Sequence, residues 1–100
     1  MKKDNYKTDV VFRKYLSGEI IALFPHEVCD YYGNVGSYMH VGQHGGADYG
    51  GVTMCTKLAT KKEYTALKKE LESIGYNFNL VKKQNRKKYL KSFYKTRGVE

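Results

Sequence analysis

Residues Thr60 to Gly75 read T-K-K-E-Y-T-A-L-K-K-E-L-E-S-I-G. Thr60 and Glu63 stand at capping-box spacing, so the Thr60 hydroxyl can accept from the Glu63 N–H while Glu63 reaches back to the N–H of Thr60. Tyr64, Leu67, Leu71 and Ile74 then recur at helical spacing and form one apolar stripe, with lysines and glutamates mainly off it. Gly75 is a natural stop, because glycine adopts the left-handed conformation that ends a helix. The stretch predicts a helix over 61–74, amphipathic enough to lie on a sheet.

Outward from that helix, both flanks supply strands. Tyr76 to Lys83 alternates, with Tyr76, Phe78 and Leu80 on one side and Asn77, Asn79 and Val81 on the other, which predicts a half-buried strand. Upstream, Asp9–Tyr15 and Glu19–Phe24 are rich in β-branched and aromatic residues around a Ser17-Gly18 turn, and read as a β-hairpin. Val10, Phe12 and Lys14 share one face of the first strand; Val11, Arg13 and Tyr15 share the other. Pro25 lacks a ladder N–H and is expected to end the second strand or mark an edge.

The middle of the chain is less regular. Residues 26–36 contain loop formers, Ser37 to Val41 predicts a short strand, and residues 42–50 a mobile glycine-rich loop. Gly51 to Thr56 then reads as a return strand. Beyond the second of the flanking strands, Asn85 can cap a helix over 86–95, in which Tyr89, Leu90, Phe93 and Tyr94 share a face. The expected architecture is α+β: an antiparallel sheet of four to five strands, the 61–74 helix on one face, and a second, C-terminal helix. The 100 residues make one domain, with residues 1–8 expected to be flexible.

Two cysteines, Cys29 and Cys55, are too few for a disulfide scaffold and point to reduced thiols in a cytoplasm. Neither apolar run, Val10–Phe12 or Ile20–Phe24, makes a signal peptide or a membrane span. The charge is lopsided. Residues 1–56 hold five Lys/Arg and six Asp/Glu (net −1), whereas residues 57–100 hold thirteen and four (net +9). Such asymmetry makes polyanions the first partners to consider, against the plainer reading of a solvated lysine-rich face.

The segments V-V-F-R-K-Y-L-S-G-E-I-I-A-L-F-P (Val10–Pro25) and S-Y-M-H-V-G-Q-H-G-G-A-D (Ser37–Asp48) resemble a group of short proteins of no assigned activity. That group recurs in gut-associated anaerobic bacteria and in their phages and mobile elements. The resemblance spans roughly Val10 to Arg97. It implies a cytoplasmic accessory protein and supplies no catalytic residue.

Seven of the ten glycines fall between Gly33 and Gly51, together with His40 and His44. A zinc site would need three or four ligands in tetrahedral array. His40 and His44, with Cys29, Cys55, His26 and Asp48 as candidates, would have to be gathered by a folded-back loop, since the glycines oppose a helix. A Cys29 or Cys55 thiolate paired with a histidine can be drawn, but no nucleophile signature surrounds either thiol, and Cys55 reads as a small buried hydrophobe. The glycines lead into an expected strand without G-K-[ST], so they make no P-loop. No cofactor, metal or catalysis is expected.

Two binding readings remain. In the first, Lys82, Lys83, Arg86, Lys87, Lys88, Lys91, Lys95 and Arg97 track the phosphates of nucleic acid, with the interleaved rings either stacking on bases or forming the helix's core face. In the second, Tyr38, His40, His44, Asp48 and Tyr49 form an adaptable surface with which an accessory protein of a phage or mobile element blocks or recruits a host protein. No membrane partner is expected, and no oligomeric state follows.

Overall fold

The computed structural model describes residues 7–40 and 44–98. Strands β1 (Thr8–Tyr15) and β2 (Ile20–Val28) form the expected antiparallel hairpin, with Val11 opposite Leu23 and Arg13 opposite Ile21. Gly18 takes φ 96° at the turn, a conformation open to glycine at little steric cost. Strands β3 (Val35–Tyr38) and β4 (His44–Ala47) extend the sheet beyond β2. On the far side of β1, two short strands share one edge. Strand β5 (Thr56–Leu58) pairs antiparallel with Arg13–Tyr15, and β6 (Phe78–Leu80) pairs parallel with Thr8–Val10. The fold is α+β, with three helices around a sheet that is antiparallel except for β6.

Helix α2 (Lys61–Ser73) follows its sequence signals closely. Thr60 Oγ1 accepts from Glu63 N–H at 3.3 Å, and Glu63 Oε1 accepts from Thr60 N–H at 2.8 Å. Leu67 and Leu71 are buried against Val10, Phe12, Ala22, Phe24 and Tyr38. The alternation expected for β1 is the alternation seen: Val10 and Phe12 face α2. Tyr76 and Phe78 close this core through stacked rings, each about one ring-width from Phe24 or from one another. Ile74 departs from the expected stripe. It is the C-cap, outside helical geometry at ψ 12°, and is 55% exposed. Leu80, one turn of the pleat past Phe78, is likewise exposed, because β6 ends there.

The opposite face of the sheet overturns two sequence expectations. Residues 44–47 of the supposed loop are β4, and residues 51–54 of the supposed return strand belong to helix α1 (Tyr49–Met54). The part of that loop at residues 42 and 43, Val41 at the end of the expected third strand, and residues 1–6 of the expected flexible start lie outside the described residues. Thr8, the last of that start, is buried in β1. A six-residue helix with two glycines has little intrinsic stability; it forms because Tyr49 and Val52, three apart, pack on Val11, Ile21 and Leu23. The β-branched Val52 and Thr53 suggested a strand, and tertiary contact overrode that preference.

Pro25 does not end β2. It is fully buried, and the strand continues to Val28 through a register shift between Phe24 and Val28. At a bulge a residue without an N–H disrupts no ladder bond. The extended end of β2 is covered by helix α3 (Arg86–Thr96). Ser92 Oγ accepts from Val28 N–H at 2.9 Å, and the Thr96 hydroxyl, which donates to Ser92 C=O at 2.9 Å, lies 3.4 Å from Val28 C=O. The Ser92 hydroxyl thus serves a backbone N–H of β2 that faces away from β3.

Candidate nucleic-acid interface

Helix α3 is fastened at its start as well as along its length. Asn85 Oδ1 accepts from Lys88 N–H at 3.0 Å, the cap the sequence predicted. The Asn85 N–H donates to His26 Nε2 at 2.6 Å, and His26 Nδ1 lies 2.7 Å from Asp9 Oδ2. Because Nε2 accepts, the proton of this ring sits on Nδ1 and points at Asp9. Burial pushes the Asp9 carboxyl up, but hydrogen bonds from Asn79, His26 and Lys88 outweigh it and hold the group below the usual carboxylate range. An Asp–His pair was not anticipated from the sequence. It cannot serve as a general base in this arrangement, since its free nitrogen is occupied by a backbone amide.

With Tyr89, Ser92, Phe93 and Thr96 turned to the β2 end, helical geometry sends Lys87, Lys91 and Lys95 to the opposite side. All three are exposed, as are Lys82, Lys83, Arg86, Lys88 and Arg97. No Asp or Glu occurs between Ser73 and Val99. Among the described residues, the ion pairs of α3 come down to Lys88 with Asp9 at 3.2 Å. Among the described residues, Lys87, Lys91 and Lys95 therefore form a row on the solvent side of α3 with no ion-pair partner, whereas Lys88 turns to Asp9 and Arg97 lies over Phe93 and Tyr31. The aromatic face of α3 differs from expectation. Tyr89, Leu90 and Phe93 are half-buried and Tyr94 is 47% exposed, because the helix packs over a strand end rather than flat on the sheet.

On the anchored side of α3 lies a turn that the sequence reading passed over. Asp30 Oδ1 accepts from Tyr32 N–H at 2.9 Å and from Asn34 N–H at 3.1 Å, while Oδ2 accepts from Asn34 Nδ2 at 2.8 Å. The Asn34 amide bond comes first among the groups that lower the Asp30 carboxyl below its ordinary range. Gly33 takes φ 89°, and its C=O accepts from Tyr89 Oη at 2.8 Å, which ties the turn to α3. Tyr31 and Tyr32 project from this turn, 61% and 86% exposed. Arg97 places its guanidinium 4.2 Å from the Tyr31 ring centroid and 4.6 Å from that of Phe93. The D-Y-Y-G-N pattern was the available signal, since an Asx turn directs its middle residues outward.

The second candidate surface does not come together in this way. Tyr38 is 2% exposed, a core residue whose hydroxyl donates to Glu70. His40 Nδ1 lies 2.7 Å from the other Glu70 oxygen, and His44 stacks edge-on to Tyr38 with Nε2 3.3 Å from Tyr76 Oη. These three lie on the α2 side. Tyr49 packs on the other side of the sheet, where burial raises its hydroxyl pKa, and Asp48 precedes it as the N-cap of α1.

The remaining chemistry is sparse. Among the described residues, no three His, Cys, Asp or Glu side chains are grouped to hold a metal ion. Burial and the nearby Asp30 raise the Cys29 thiol pKa, the wrong direction for a nucleophile. Cys55 is exposed at the C-cap of α1, not the buried strand residue expected. An open groove of about 340 Å³ runs beside α2, with Ile20, Met39 and Leu67 on its floor and Glu19, Glu63 and Glu70 around it. Its carboxylates would repel a polyanion, so it and the α3 row differ in electrostatic character. Among the described residues, no helix is long and apolar enough to cross a membrane. Compared with protein-family models, curated proteins and solved structures, the chain matches none.

Proposed function

We propose that this chain is a small non-catalytic binding protein that contacts nucleic acid without sequence preference through the exposed face of α3. It would act in the cytoplasm, as an accessory protein of the kind its resemblance to phage and mobile-element proteins implies. The observation that carries this reading is the row Lys87, Lys91 and Lys95, exposed and without a carboxylate on its own helix. Ammonium groups on flexible stems bind phosphates as point charges and read no bases, so affinity here is electrostatic and independent of sequence. A protein partner on residues 37–51 has less support, because Tyr38 is buried and Tyr49 lies across the sheet from it.

The test is binding of a fluorescein-labelled oligonucleotide at low salt, followed by anisotropy. The wild type should bind, and a Lys87→Glu, Lys91→Glu, Lys95→Glu variant should not. Lys88 is left intact because it pairs with Asp9. Absence of wild-type binding, or equal binding by the reversed variant, overturns the reading.

A further inference from the structure

The exposed aromatics next to α3 are arranged as a connected series. Tyr94 lies 5.5 Å from Phe93, ring centroid to centroid, and the Arg97 guanidinium bridges Phe93 to Tyr31. Tyr32 continues the series 6.4 Å beyond Tyr31. The series is held from below: Asp30 fixes the turn, and the Tyr89 hydroxyl anchors Gly33. A methyl group on Gly33 would come within 2.7 Å of that hydroxyl, so the turn sits hard against the helix. Two adjacent tyrosines on a braced turn, both mainly in water, contribute little to any core. They present flat π surfaces whose orientation is set in advance, which limits the entropy lost on binding.

We infer, building on the polyanion reading above, that this site takes single-stranded nucleic acid in preference to duplex. In a duplex the base faces are stacked on one another, and the outer surface offers phosphates alone to Tyr31, Tyr32 and Tyr94. A single strand offers unstacked bases, and each can lie on an exposed ring; Tyr94, three residues from Lys91 on α3, joins the series to the lysine row, where phosphates can bind.

The experiment compares a labelled oligo-dT of about 15 nucleotides, within the range of site sizes for such surfaces, with a mixed-sequence single strand and its duplex of equal length. The wild type should bind both single strands more tightly than the duplex. A Tyr32→Ala, Tyr94→Ala variant, altered only at exposed rings, should lose about 5- to 150-fold in single-strand affinity for each base that stacked, with duplex affinity unchanged. Tyr32→Phe, which keeps the π face, should bind as the wild type does. Since the protein has ten tyrosines and no tryptophan, quenching of tyrosine emission on binding gives an independent readout of stacking. Binding to neither form overturns the polyanion reading and this inference with it. Equal affinity for single strand and duplex, or an unchanged affinity in the double alanine variant, overturns the inference alone and leaves the lysine row standing.

Discussion

Replacing Lys87, Lys91 and Lys95 by glutamine should alter how binding responds to salt, and the size of the change follows from the helix. These lysines succeed one another every four residues, so at a rise of about 1.5 Å per residue the row spans about 12 Å. Three ammonium groups on that row, joined by one of Lys82, Lys83 or Arg86 at its start, would neutralise about four phosphates. For single strands each neutralised phosphate contributes about −0.7 to the slope of log K against log salt, so the wild type should show about −2.8. Raising salt fourfold, from about 50 to about 200 mM, would then weaken binding about 50-fold. The triple glutamine variant retains about one contact, a slope near −0.7 and a loss of about 3-fold over the same range. Anisotropy titrations at four salt concentrations measure both slopes. Circular dichroism should show no change, because all three side chains are exposed. A wild-type slope near zero, or an identical slope in the variant, would refute the idea that this row carries the contact.

Other consequences concern what holds the interface in place. Leu71 is fully buried between α2 and the sheet, so Leu71→Ala should cost about 2–5 kcal/mol by chemical denaturation; a cost under about 1 kcal/mol would mean the core is not packed as described. Replacing Ser92 by Ala removes the hydroxyl that accepts from the Val28 amide, which should then exchange with solvent faster; unchanged protection would deny it that role. Glu63 is held down to about 2, first by its hydrogen bond from Lys14 and then by the Thr60 amide. Its folded pKa lies below its ordinary 4.5, so its contribution is present above that value and is lost as pH falls toward 2. The stability difference between wild type and Glu63→Gln should therefore shrink across that window, and a constant difference would contradict the assignment.

Those elements whose signals are local were legible in the chain. The capping box of α2, its Leu67 and Leu71, the hairpin around Gly18 and the Asn85 cap each depend on residues within a few positions of one another, and each appears where it was expected. Three features depended on distant contacts and were misread. Residues 49–54 coil because Tyr49 and Val52 reach Val11 and Leu23, not because their own preferences favour a helix. Strand β2 passes through Pro25 because a bulge there removes the need for an N–H. Tyr38, read as a contact residue, is core because β3 turns it toward Leu67 and Leu71.

The candidate site divides in the same way. Charge is additive along a chain, so the crowding of lysines after Gly75 was plain from composition. Whether those lysines share a surface depends on which side of α3 is anchored, and that is settled by Ser92, Thr96 and Tyr89 meeting residues some sixty positions earlier. The braced tyrosine turn at Asp30–Asn34 comes to lie beside Arg97 for the same reason. Sequence determined the local conformations and the sign of the charge; only the packing of one end of the chain on the other decided which groups stand side by side.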